Sequence, residues 1–168
     1  KWGFSHLLVS QFNLKAGLIE GERDVDGFFV KPLAGGATVR ATNDDFKSST
    51  PLIPYQHIRH FKIATDNNIR LGKNQLTFNI GYQQNKREEF GNADNMEERS
   101  LFFDLKTITY TAQFRLAETN GWKNSIGING MQQTNTNKGV EQLIPDYDLF
   151  DFGIYAFTQK TINNLTIS

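Results

Sequence analysis

The sequence predicts an all-β fold: an antiparallel up-and-down meander of about seven strands. Three observations predict it. Apolar and polar residues alternate with period two over long runs, helical periodicity is hard to find, and long polar connections alternate with tight turns along the chain. Composition agrees, because fourteen Phe within an overall hydrophobic content of only 38% suit strands with one apolar and one polar face.

The strands are expected in this order. The first covers Gly3–Leu14. The second covers Tyr55–Leu71, with Phe61, Ile63, Ile69 and Leu71 opposite Lys62, Ala64, Asp66 and Arg70. In the third, Gln75–Phe90, Leu76, Phe78, Ile80 and Tyr82 share one face and Thr77, Asn79, Gly81 and Gln83 the other. In the fourth, Arg99–Ala117, Ile108, Tyr110, Ala112, Phe114 and Leu116 alternate with Thr109, Thr111, Gln113 and Arg115. Leu101, Phe103 and Leu105 have the opposite parity, which predicts either a bulge near Lys106 or a stretch of strand outside the membrane zone. The fifth is Trp122–Thr136. The sixth, Tyr147–Thr158, sets Phe150, Phe152, Ile154 and Ala156 against Asp151, Gly153, Tyr155 and Phe157. The seventh begins at Asn163.

Several of these runs exceed the usual globular strand and match the ~9–11 residues that cross a bilayer. The tight connections are Gly72–Asn74, Thr119–Gly121 and Gln159–Ile162, and the long ones Lys15–Pro54, Lys86–Glu98 and Asn135–Asp146. Strict alternation puts every long connection at one end of a meander, the layout of an outer-membrane barrel with short periplasmic turns and long extracellular loops. A mean hydropathy of -0.49 does not oppose this, since strands carry their apolar residues at alternate positions. No run approaches a membrane helix, and Lys1-Trp2-Gly3 carries no signal-peptide pattern. Eighteen basic and eighteen acidic residues give no argument for nucleic acid, and zero cysteines remove disulfides and thiolate chemistry.

Within this frame, Leu52-Ile53-Pro54-Tyr55-Gln56-His57-Ile58-Arg59-His60 resembles the P-x-Q-x-I start of a barrel strand in TonB-dependent receptors. Gly81-Tyr82-Gln83-Gln84-Asn85-Lys86-Arg87-Glu88-Glu89-Phe90 resembles the G-Y-Q-x-N-x-R-x-E-F end of the strand that follows. Gly127–Asn135 and Leu143–Tyr147 resemble later barrel segments, and Gln11-Phe12-Asn13 with Glu20-Gly21-Glu22-Arg23 more faintly an earlier strand leading into an extracellular loop. The resemblance runs from Leu52 to Ser168. It implies part of a barrel of about 22 strands, plugged in the parent protein. Residues 1–168 then form about a third of the wall, without plug domain, TonB box or closing C-terminal strand. It further implies a bacterial outer-membrane location and import of a scarce ligand, siderophore or haem ahead of glycan. The implied partners are the plug, the TonB complex, outer-membrane lipid and a surface lipoprotein.

Phe78, Ile80, Ile108, Tyr110, Phe152 and Ile154 are the expected lipid-facing residues, since charge on that face costs about 2–4 kcal/mol at the midplane. Lys62, Asp66 and Arg70 then face the lumen. Arg23, Arg40, Arg87 and Asp94 are the candidate ligand contacts in the long loops, and Arg87, Glu88 and Glu89 an expected salt-bridge cluster at the rim. Trp122, with Tyr55, Tyr82, Tyr110 and Tyr147, is a candidate interfacial belt. His57 and His60 are separated by an odd number, so a strand puts them on opposite faces and they make a poor chelate. The acidic loop residues lack EF-hand spacing, and Gly35-Gly36, no complete phosphate loop, reads as a turn inside the first long connection. No catalytic constellation stands out, so no enzyme, cofactor or metal site is expected. The rival readings are a passive or structural outer-membrane barrel and a soluble β-rich ligand-binding domain.

Overall fold

The computed structural model describes residues 2–17 and 22–168; Glu20 and Gly21 of the faint N-terminal resemblance lie outside them. The chain forms β1 (Gly3–Gly17), β2 (Val30–Pro32), β3 (Thr38–Arg40), α1 (Asn43–Lys47), β4 (Tyr55–Leu71), β5 (Asn74–Phe90), β6 (Leu101–Arg115), β7 (Trp122–Asn137), β8 (Tyr147–Ile162) and β9 (Leu165–Ile167). One antiparallel sheet takes seven of these strands in the order β1-β4-β5-β6-β7-β8-β9, and β2 and β3 form a separate hairpin. Apart from that inserted hairpin and α1, each strand pairs with the next in sequence, so the expected meander is the observed one.

The turns follow from residues that tolerate a left-handed backbone. Asn120 and Gly121 sit at φ 51° and 76° between the paired Thr119 and Trp122, the dipeptide that a two-residue hairpin turn favours. Gly72 turns β4 into β5 at φ 64°. The last turn is displaced from its expected place. Residues 159–162 continue β8, and Asn163, at φ 51°, makes the turn with Asn164. Thr161 and Ile162 are β-branched and favour the strand, whereas Asn accepts the left-handed conformation.

Register sorts the side chains onto two faces. Ile80 pairs with Tyr110, Tyr110 with Gly130, and Gly130 with Phe152. The flanking rows are Ile63–Tyr82–Ile108–Gln132–Phe150 on one side and Asn67–Phe78–Ala112–Ile128–Ile154 on the other. All six expected lipid-facing residues therefore occupy three adjacent rows of one face. The opposite face carries Lys62, Asp66, Arg70, Thr109, Gln113 and Asn129. β1 and β8 carry apolar side chains on both sides, Leu7, Val9, Phe152 and Ile154 on the first face and Leu8, Phe12, Leu149, Tyr155 and Phe157 on the second.

No bulge interrupts β6: its register against β5 and β7 advances one residue at a time through Lys106. The parity change arises because the strand carries on past its apolar stretch. Above Ile108 the same face continues with Lys106, Asp104 and Phe102, while Leu101, Phe103 and Leu105 lie on the other.

The sheet encloses no apolar core. Among the described residues, Ile53 and Phe102 are the only hydrophobic side chains almost fully withdrawn from solvent. The accessible surface is 11852 Å², against about 8,400 Å² expected for a folded monomer of this mass.

Candidate functional site

On the apolar face, Ile80 and Phe152 are 52% exposed and Ile154 69%. Side chains of that size left uncovered across several strands form a surface that water tolerates poorly. Its polar interruption is satisfied internally: Asn67 accepts from the Ser5 hydroxyl and donates to Thr65 Oγ1 and the Phe78 carbonyl, each at 3.1 Å. Trp122 lies on this face at the tight-turn end, with the Lys160 ammonium 5.1 Å from its ring centre. Tyr55, Tyr82 and Tyr110 share the face. Tyr147 does not: it pairs with Asn135 on the polar face and donates to Gln133 Oε1 at 2.8 Å.

Toward the long-connection end the same face becomes charged. Glu88 accepts from Arg59 Nη2 at 2.6 Å and Arg99 Nε at 2.8 Å, with His57 Nδ1 at 3.4 Å. Asp104 accepts from Lys138 Nζ at 2.8 Å and Gln84 Nε2 at 2.6 Å. Both carboxylates are nearly buried, their side chains 3% and 4% exposed, beneath Arg59, Arg99 and Lys138, which remain 43–49% exposed. The expected cluster of Arg87, Glu88 and Glu89 thus divides. Glu88 joins this node, while Arg87 pairs with Glu89 at 2.6 Å on the other face. Arg59, Arg99, Asp104 and Lys138 escaped sequence reasoning because only the register brings them together.

The first long connection folds into its own small unit. A turn at Asp24–Phe28 leads into the β2–β3 hairpin. Asp24 Oδ1 accepts from the amides of Asp26 and Phe28 at 3.0 Å, and Arg40 reaches both Asp24 and Asp26 while its guanidinium lies 4.4 Å from the Phe28 ring centre. Arg23 lies 3.7 Å over Phe29 and donates to the Gly27 carbonyl at 2.6 Å. These two candidate ligand contacts therefore already hold the turn together.

Thr42 and Asp45 cap α1 reciprocally, and Phe46 meets Phe29 edge-on at 5.9 Å. Lys31 Nζ lies 2.6 Å from Asp45. The Lys31 hydrogen bond, reinforced by those from Thr42, lowers the Asp45 carboxyl to about 2. Between this unit and the ends of β1 and β4 opens a pocket of about 640 Å³, lined among others by Lys15, Phe29, Lys31, Asp45, Phe46 and Ile53. None of Arg23, Arg40, Arg87 and Asp94 lines it. Asp94 is exposed in the next connection, its amide donating to Asn92 Oδ1 at 2.9 Å.

His57 and His60 lie on opposite faces, as alternation predicts, bonded to Asn13 at 2.8 Å and Asn85 at 3.2 Å. Among the described residues, no group of three or more His, Cys, Asp or Glu side chains is placed to hold a metal. No protein-family model, curated protein or solved structure matches the chain.

Proposed function

We propose that this sheet is a stretch of the wall of a bacterial outer-membrane barrel, belonging to a receptor of the TonB-dependent kind. That receptor captures a scarce ligand, siderophore or haem ahead of glycan, at its long-connection end. It imports the ligand with energy delivered by the TonB complex, its plug filling the lumen. One observation carries the membrane reading: an apolar, uncovered band that spans one face of the sheet and gives way to clustered charge toward the long connections. Along β4 the band runs from Phe61 to Leu71, matching the ~9–11 residues that a transmembrane strand needs. The free edge of β1, and that of β8 beyond its three-residue pairing with β9, fit a wall whose backbone pairing continues into further strands, as lipid demands. The choice of receptor, ligand class and energy source rests on the sequence resemblance.

The test uses the full-length parent in intact cells. Single cysteines at Ile80, Ile108, Phe152 and Ile154 are expected to react with a lipid-soluble maleimide and resist an impermeant one. Tags at Ser48, Asp94 and Gln142 should be reachable from outside, and one at Lys73 should not. Tags that all report one side would sink the meander-in-membrane reading. Ligand uptake that persists without TonB would leave a passive barrel in its place.

A further inference from the structure

At the tight-turn end, the polar face of the sheet carries a second pocket, of about 440 Å³. One cross-strand row runs through it: Gln75 of β5 pairs with Arg115 of β6, Arg115 with Ser125 of β7, and Ser125 with Phe157 of β8. Lys73 from the β4–β5 turn and Lys123 from the start of β7 also line it. Glu118 is the one acid in the lining. It stands 3.8 Å from Lys123, and both side chains are more than half exposed, so the pair is weak. Three cations thus share the pocket with one acid, although the chain as a whole is neutral.

Arg115 is aimed rather than neutralised. Its Nε donates to Gln113 Oε1 at 2.9 Å, and the same amide donates from Nε2 to Ser125 Oγ at 3.3 Å. Neither terminal nitrogen of the guanidinium meets an acceptor among the described residues. Those two nitrogens make a planar fork that can bind both oxygens of one carboxylate. Phe157, 47% exposed, offers an apolar ring in the same row. Two strand spacings separate it from Arg115, roughly 10 Å, a gap that a single ring bearing a carboxylate bridges. The volume agrees, lying toward the small end of ligand pockets, which span about 300–1,000 Å³. A bare inorganic anion would leave Phe157 unused.

We infer that this pocket binds a small organic acid. Its carboxylate sits on Arg115, Lys73 and Lys123 add positive charge, and its flat apolar body lies against Phe157. In the barrel proposed above, the pocket opens to the lumen at the periplasmic end, opposite the capture end. The inference rests on that reading for the side it faces, and on the pocket itself for its chemistry.

The experiment is fluorine NMR of the full-length protein in neutral detergent with three probes. They are para-fluorobenzoate, the uncharged para-fluorobenzamide, and trifluoroacetate, a carboxylate without a ring. Saturable binding of para-fluorobenzoate is expected, with both other probes markedly weaker. Arg115→Gln should weaken para-fluorobenzoate by about tenfold, the worth of one charge-assisted hydrogen bond. Phe157→Ala should bring it down to the level of trifluoroacetate. Arg70→Gln lies in the same row but outside the pocket and should bind as wild type does. Unchanged heat-modifiable migration checks that each variant folds. Equal binding of para-fluorobenzamide, or undiminished binding by Arg115→Gln, overturns the inference. So does an equal loss in Arg70→Gln, which reduces the site to general surface charge. Absence of saturable binding in wild type, as when another segment of the protein fills the pocket, overturns it too. Labelling of Ile80→Cys by the lipid-soluble maleimide separates the two readings. Its failure sinks the barrel alone, and loss of probe binding with labelling intact sinks the pocket alone.

Discussion

Arg99, in the connection leading to β6, reaches Glu88 of β5 with its Nε 2.8 Å from Oε1, opposite the Arg59 guanidinium on Oε2. One nearly buried carboxylate therefore ties β4, β5 and a long connection into a single node. Breaking a buried ion pair by deleting one partner costs about 3–5 kcal/mol. Here the cations keep partial access to water, so Glu88→Ala should cost less, about 1–2 kcal/mol. Arg99→Ala should cost less again, because Arg59 remains to neutralise the carboxylate. Denaturant midpoints of the folded protein check the order. An Arg99 variant more damaging than the Glu88 variant would refute the node.

Two glycines facing tyrosines predict unequal responses to the same substitution. At Gly130 an added Cβ would stand 2.3 Å from Tyr110 Oη and 2.4 Å from the Asp151 carbonyl, so part of the obstacle is backbone. At Gly127 the three nearest atoms all belong to the Tyr155 side chain, the closest at 2.3 Å, and that ring end can swing away. Gly130→Ala should therefore destabilise by about 1–3 kcal/mol, the usual cost of overpacking. Gly127→Ala should cost less and be rescued by Tyr155→Ala. Equal losses for the two glycines in thermal unfolding would contradict the register.

Legibility of the sequence tracked the length of each pattern. The long strands were readable because Leu76–Tyr82 and Ile108–Leu116 repeat an unambiguous period-two signal, and three adjacent rows unite the six residues singled out from it. The final turn falls a few residues beyond its expected place because β-branched Thr161 and Ile162 extend the strand and the left-handed backbone of Asn163 decides where it ends. The unit between β1 and β4 was read as plain loop, since three-residue strands carry no periodicity. Its local signals were Gly35-Gly36, which makes the turn between β2 and β3 at φ 82° and 74°, and the Thr42-to-Asp45 capping spacing ahead of Phe46. The Glu88 node and the Asp104–Lys138 pair were illegible for a different reason: their partners lie on separate strands and connections, and only register brings them together.

The Asp45 latch gives the first connection its own acid sensitivity. Its carboxyl falls from 3.8 to about 2, chiefly through the Lys31 hydrogen bond. A folded value below the unfolded one stabilises the docked unit above pH about 4, and that contribution disappears as pH falls toward 2. Protease cleavage within residues 43–54 should therefore rise across this window in wild type. Asp45→Asn lacks the titrating group and should be cleaved more readily at neutral pH, with a flatter profile. Parallel profiles for the two proteins would remove Asp45 as the latch.

The 168-residue chain by itself should associate. Its surface exceeds by about 3,400 Å² what a folded monomer of this mass exposes, and much of the large apolar area lies on one face, around Ile80, Phe152 and Ile154. The outer side of β1 is unpaired, and β8 pairs with β9 only through Lys160–Ile162, leaving N–H and C=O groups free to template further strands. Face and edges drive association by different routes, and substitution separates them. Ile80→Glu/Phe152→Glu/Ile154→Glu should sharply reduce light scattering in detergent-free buffer, whereas glutamates at Thr109 and Asn129 on the polar face should not. Detergent should disperse the wild-type chain by covering the same band. A compact wild-type monomer in plain buffer would show that the apolar face needs no lipid, and would favour a soluble binding domain.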